Sequence, residues 1–160
     1  MKKYEFVVNQ ENMAEELSIN VGNLSESFTD QTAKYAYWSS LTIQAKNKVE
    51  RKKLELEVKE EFVKKTLIGI LDNRIRARFK DEGVKATETL VVNTIYTEPD
   101  YRQAKEEIFK LKEELLDLQE EYSVLEGIRE AFNQRKDMLI SLGAHVRAEM
   151  INEGLHQKED

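Results

Sequence analysis

Lys46, Lys48, Arg51, Lys52 and Lys53 form one basic cluster, Lys64 and Lys65 a second, and Arg74, Arg76 and Arg78 a third that runs on to Lys80. Ammonium and guanidinium groups in such arrays neutralise phosphate diesters, and the binding gains from release of condensed counterions. Tyr35, Tyr37 and Trp38 lie just upstream. Aromatic rings in that setting are platforms on which unpaired bases stack. A single helix turns these groups in several directions, so one face holds only some of them. One copy then binds weakly, and repetition in an oligomer multiplies the effect through avidity. Two plainer readings stand beside this one. The charges form a solvated helix face laced with i,i+4 ion pairs, and the aromatic rings are packing residues.

No other constellation points to chemistry. The sequence has no cysteine, no phosphate-binding glycine loop and no Gly-x-Ser-x-Gly turn, and its two histidines, His145 and His156, are isolated. His145 and Glu149 are four apart, which fits a surface helix pair far better than a metal site. Glu106, Glu107, Glu113, Glu114, Glu120 and Glu121 are expected on a solvated face. A di-metal carboxylate bundle needs a Glu-x-x-His pair on each of two helices, which this sequence lacks. The chain therefore reads as a non-enzyme with no cofactor and no metal.

Charge is unevenly distributed along the 160 residues. Net charge is -3 over residues 1–45, +5 over 46–85 and -8 over 86–160, giving -6 in all. A basic middle between acidic ends suits nucleic-acid contact or head-to-tail pairing between subunits. The acidic last part also leaves open an acidic mimic of DNA that occupies a basic protein. No stretch approaches the roughly 20 apolar residues of a membrane span, and the N-terminal apolar run Tyr4–Val8 is too short for a signal peptide. The expected compartment is the cytoplasm, with no membrane association.

These side chains must be positioned by helices. Charged residues make up 35% and there is one proline, Pro99. Ala104, Leu111, Leu118, Leu125, Phe132, Leu139 and Val146 recur at seven, with Tyr101, Ile108, Leu115 and Tyr122 beside them. That is a coiled-coil seam. Beyond Gly127, Arg129 and Lys136 enter one column while Ile128 and Leu142 appear one position earlier, so the stripe is expected to rotate slightly. A first long helix is expected from Thr29 or Asp30 to about Phe79, with Gly83 as a left-handed stop. Val49, Leu56, Val63 and Ile70 repeat at seven, then Leu67, Leu71, Ile75 and Phe79 at four. Residues 84–97 favour a short helix capped by Thr87 over a strand. The second long helix starts at Thr97-Glu98-Pro99-Asp100.

The fold class is therefore all-α. Two long antiparallel helices form a coiled-coil-like hairpin with a short connecting helix and a loosely structured N-terminal arm. The expected divisions are an arm at 1–29, a hairpin, oligomerisation and DNA-binding body at 30–150, and a tail at 151–160. Leu54, Val63, Leu67, Leu71, Leu111, Leu115, Leu118, Leu125, Phe132 and Leu139 are the expected core of the hairpin and of its assembly. A helix of about 50 residues is roughly 75 Å long, so the monomer is expected to be elongated. Its apolar stripes then exceed what one copy hides, and a closed homo-oligomer is the simplest solution.

The order of these features resembles the UvsY-type recombination mediators of tailed bacteriophages, over about residues 30–149. The resemblance rests on the aromatic-alanine stretch Thr32–Trp38, the basic helix Ala45–Glu57, the Gly83–Glu88 segment, the Pro99-Asp100-Tyr101 helix start, and the closing Arg135–Leu139 and Arg147–Glu149. It implies a homo-oligomeric ring that binds single-stranded DNA and helps a RecA-like recombinase displace a single-strand-binding protein. The family's contact with DNA is basic and lies in the first long helix. It falls here on Lys53, Lys64 and Lys65, beside the Lys46–Lys52 cluster. The chain departs from the pattern in its net acidity, which requires its positive charge to be concentrated on one surface. A coiled-coil scaffold or assembly chaperone without nucleic-acid binding is the alternative.

Overall fold

A computed structural model describes residues 10–156, with side chains from 13 to 152. Its regular elements are helices α1 (Gln10–Leu17), α2 (Leu24–Phe62), α3 (Ile68–Asp81), α4 (Glu88–Thr97) and α5 (Pro99–His156). A 3₁₀ turn at Val21–Asn23 precedes α2, and a π-helical turn at Val63–Leu67 joins α2 to α3. Among the described residues there is no strand, so the protein is all-α; within 84–97, residues 84–87 are irregular and Glu88–Thr97 is helix.

The expected loose arm is corrected within residues 10–29, which hold α1, the 3₁₀ turn and the first turns of α2. Asn23 explains the earlier start. Its side-chain oxygen accepts from the Glu26 amide at 3.2 Å, and its side-chain amide donates to the Glu26 carboxylate at 2.9 Å. An asparagine N-cap satisfies in this way one of the amide donors that a helix start leaves orphaned. Tyr4–Val8 lies outside the described residues.

The described residues form two compact units, one of residues up to 46 with those from 121 onward and one of residues 47–120. In the first, Trp38 and Ala45 of α2 pack with Leu125, Ile128 and Phe132 of α5. Met13 and Leu17 of α1 close over that cluster. The stripe on α5 drifts as expected: Ile128 is buried, and the next residue in its column is Arg135, also buried. Thr42 is buried as well, its hydroxyl donating to the Trp38 and Leu125 carbonyls at 2.8 and 3.1 Å.

In the second unit, Leu71, Ile75 and Phe79 of α3 meet Val91 and Ile95 of α4. Both sets are spaced near one helical turn, so each helix buries one stripe. Thr87 caps α4 by accepting from the Leu90 amide. Gly83 takes φ +70° after α3, and the Val84 amide bonds back to the Phe79 carbonyl at 2.8 Å. A side chain at Gly83 would meet the steric cost of the left-handed region. A further cluster joins Val63 to Ala104 and Ile108 of α5. Glu98 is extended before Pro99, as a residue before proline prefers.

Of the expected core, Val63, Leu71, Leu125, Phe132 and Leu139 are buried, and Leu67, Leu111, Leu115 and Leu118 are half-buried. Leu54 is corrected: it is 62% exposed and adds nothing to the core of a single chain. Val49 and Val63 define the buried side of α2 around Leu56. Leu54, two positions from Leu56, lies about 200° around the helix from it.

Candidate nucleic-acid interface

Lys46 belongs to the first unit, and Lys48, Arg51, Lys52, Lys53, Lys64, Lys65, Arg74, Arg76 and Arg78 to the second. The three arginines are already engaged. Arg74 donates to Asp100 at 2.9 Å and to Glu98 at 2.7 Å, and Arg78 donates to the other Glu98 oxygen at 3.1 Å. Arg76 bridges Asp72 at 2.8 Å and Glu88 at 2.6 Å. Donating to Asp100 and then to Glu98 holds the Arg74 guanidinium still more firmly protonated, and donating to Asp72 and then to Glu88 does the same for Arg76. Three cations facing four carboxylates leave no positive surplus. The cluster instead ties α3 to both ends of α4 and to the first turn of α5.

Lysines of the α2 segment divide differently. Lys52 donates to Glu114 at 2.8 Å and Glu55 at 2.7 Å, and these bonds, Glu114 first, raise its pKa. Lys53 pairs with Glu50 and Lys65 with Glu61 within their own helical turns. Exposed pairs of that kind contribute only about 0.2–1 kcal/mol, so a phosphate can replace the carboxylate readily. Among the described residues, Lys46, Arg51 and Lys64 have no ion-pair partner. Lys48 has a polar partner.

Arg51 shares an outward face with Leu54, Val58, Phe62 and Lys65, at steps of three, four, four and three. All five are exposed. The second unit thus presents an uncovered apolar strip with a cation at either end, and Lys59 adds an ammonium 5.9 Å from the Phe62 ring centre. Beside it, Val58 and Phe62 with Leu111 line a shallow groove that also carries Glu55, Lys59, Glu107 and Lys110.

Sequence reasoning placed Glu107 and Glu114 on a solvated face, but they pair with Lys59 and Lys52 of α2. It also missed Glu98, buried between two arginines, although the Thr-Glu-Pro-Asp signal stood over it. The hydrogen bond from Lys59, then that from Gln103, holds the Glu107 carboxyl below the usual carboxylate range. A depressed pKa contributes stability that is present above the unfolded value and lost as pH falls through the folded one. In a carbon-13 NMR titration, Glu107 is expected to turn below the ordinary glutamate range, and Lys59→Met to bring it back up. A midpoint that ignores that substitution contradicts the pairing.

The aromatic residues are sorted too. Trp38 is 8% exposed and stacks on Phe132 with ring centres 6.3 Å apart, so it is a packing residue here. Tyr37, edge-on to Trp38, and Tyr35 are exposed. His145 Nε2 lies 3.2 Å from Glu149 on the surface of α5. Among the described residues no group of three metal-ligating side chains occurs, and no helix is long and apolar enough to cross a membrane. Comparison with protein-family models, with curated proteins and with solved structures finds no match to this chain.

Proposed function

We propose that the chain is a non-enzymatic recombination mediator that binds single-stranded DNA and helps a RecA-like recombinase load in place of a single-strand-binding protein. The family-like order of its motifs motivates the reading. The observation that carries it is the outward face of the end of α2 and the π-helical turn after it, where Arg51 and Lys65 flank Leu54, Val58 and Phe62. Cations there meet phosphates while the apolar strip and its phenyl ring meet bases. Lys53 and Lys64 extend the positive set of the second unit, Lys46 carries a cation on the first, and Arg74, Arg76 and Arg78 serve the fold. In each unit the α2 and α5 segments pair antiparallel. Gln31 with the Phe132 carbonyl and Thr42 with the Leu125 carbonyl support this in the first unit, and Lys52–Glu114 with Lys59–Glu107 in the second. Homo-oligomerisation covers the remaining apolar side chains and repeats the cations. The protein acts in the cytoplasm, that of the host if it is phage-encoded, and the acidic side of α5 offers itself to a basic partner.

Fluorescence anisotropy with labelled oligothymidylate across a salt series tests the reading. Each phosphate contact on a single strand contributes about 0.7 to the slope of log affinity against log salt. Converting Lys46, Arg51 and Lys64 to glutamate together is expected to flatten that slope by about 2 if each meets one phosphate. The absence of a salt-dependent preference for single strands over duplex rejects the DNA role. A second reading, a coiled-coil scaffold or assembly chaperone, is favoured by the internal engagement of Lys52 and the three arginines. It predicts that Lys52, Lys53, Lys64 and Lys65 changed to glutamate alter oligomer mass and leave oligonucleotides irrelevant.

A further inference from the structure

The first unit holds a set of cationic and aromatic donors that one short helix occupies. Arg135 is 4% exposed, yet its guanidinium meets neutral acceptors: the Ser18 carbonyl at 3.1 and 3.3 Å, the Ser27 carbonyl at 3.4 Å and the Gln31 side-chain oxygen at 2.6 Å. Its nearest carboxylate, Asp30, is 3.9 Å away and pairs more closely with Lys34, at 2.9 Å. Lys34 also donates to the Glu16 carbonyl at 3.1 Å, and the Trp38 indole N–H donates to the Glu16 carboxylate at 3.2 Å. Lys34, Trp38 and Arg135 therefore all give hydrogen bonds to the C-terminal end of α1 or the residue that follows it.

We propose that α1 is a displaceable cover over a binding site for single-stranded nucleic acid formed by Lys34, Trp38 and Arg135. The inference rests on the single-strand-binding reading above and adds to it a second site and its control. A phosphate diester brings a full negative charge to Arg135, whose hydrogen bonds now go to neutral oxygens, and charge-assisted hydrogen bonds are shorter and stronger. Departure of Met13 and Leu17 uncovers the cluster that contains Trp38 and Phe132, giving a base an aromatic surface to stack on. Apart from those hydrogen bonds, little holds the cover. With eight residues α1 is too short to persist as a helix in isolation, and Met13 and Leu17 are the side chains that pack it onto the core cluster.

Trp38 is the chain's one tryptophan, so its emission reports the event directly. The test uses the full chain with single-stranded oligothymidylate, read by Trp38 fluorescence, by hydrogen exchange at the amides of residues 10–17 and by anisotropy. Saturating oligonucleotide is expected to quench or shift Trp38 and to speed exchange in α1 while α2 and α5 keep their protection. Met13→Ser with Leu17→Ser, which loosens the cover without altering charge, is expected to bind about tenfold more tightly. Binding that leaves Trp38 emission and α1 exchange unchanged overturns the cover and leaves the DNA reading standing. No binding by either protein overturns the DNA reading itself. Because the exchange and emission measurements use the unaltered chain, they decide the matter even if the double variant folds poorly.

Discussion

Phe132→Ala is expected to lower the free energy of unfolding by about 3–5 kcal/mol, the usual cost of emptying a buried phenylalanine site. The Phe132 side chain is fully buried, stacked nearly parallel to Trp38 and packed in the cluster with Ala45, Leu125 and Ile128. Alanine is a better helix former than phenylalanine, so the backbone of α5 tolerates the change and the loss is one of packing. The Gln31 hydrogen bond at 2.6 Å runs to the Phe132 carbonyl and survives the truncation. Urea denaturation followed by Trp38 fluorescence measures the effect. Met138→Ala, six positions along α5 on an exposed side chain, is the control and should stay within about 0.5 kcal/mol of the parent. A loss at Phe132 no larger than that control would remove this residue from the core.

Arg135→Ala is expected to cost about 2–4 kcal/mol and to release α1. Three acceptors, the Ser18 and Ser27 carbonyls and the Gln31 side-chain oxygen, lose their donor together. A buried acceptor left unpaired costs about 1–3 kcal/mol, but the Ser18 carbonyl escapes that penalty if α1 lifts into water. Amides of residues 10–17 should therefore exchange quickly in the variant while α2 and α5 remain protected. Lysine at 135 is expected to recover only part of the loss, because one ammonium cannot reproduce the guanidinium fork. Protection in α1 unchanged by Arg135→Ala would show that its C-terminal end is held by other means.

The long helices were legible because the seven-residue ladder and the Pro99 entrance are local signals. So were the Thr87 cap and the Gly83 stop, each of which one residue type determines. The N-terminal helix was not, since QENMAEEL has only Met13 and Leu17 to bury and forms against a core assembled from distant parts of the chain. Leu54 misled because apolar type was read without its angular place relative to Val49, Leu56 and Val63. Arg135 escaped notice as a core residue because charge argues for exposure, although it stands seven after Ile128 and seven before Leu142. The basic clusters were visible as charge, but their partners were not. Glu88, Glu98 and Asp100 reach Arg74, Arg76 and Arg78 only through the turn between α3 and α4, which no spacing along one helix reveals.

The turn at Val63–Leu67 has a bearing on how such chains vary in length. A π turn closes from residue i to i+5 and so absorbs one residue more than an α turn. Loss of one amino acid there restores ordinary winding and leaves the flanking faces, with Val63 on one side and Leu71, Ile75 and Phe79 on the other, where they are. The same deletion a few positions away turns everything downstream by about 100° and brings lysines to the core. Within this track of helix, the genetic record of single-codon gains and losses should concentrate at those five positions.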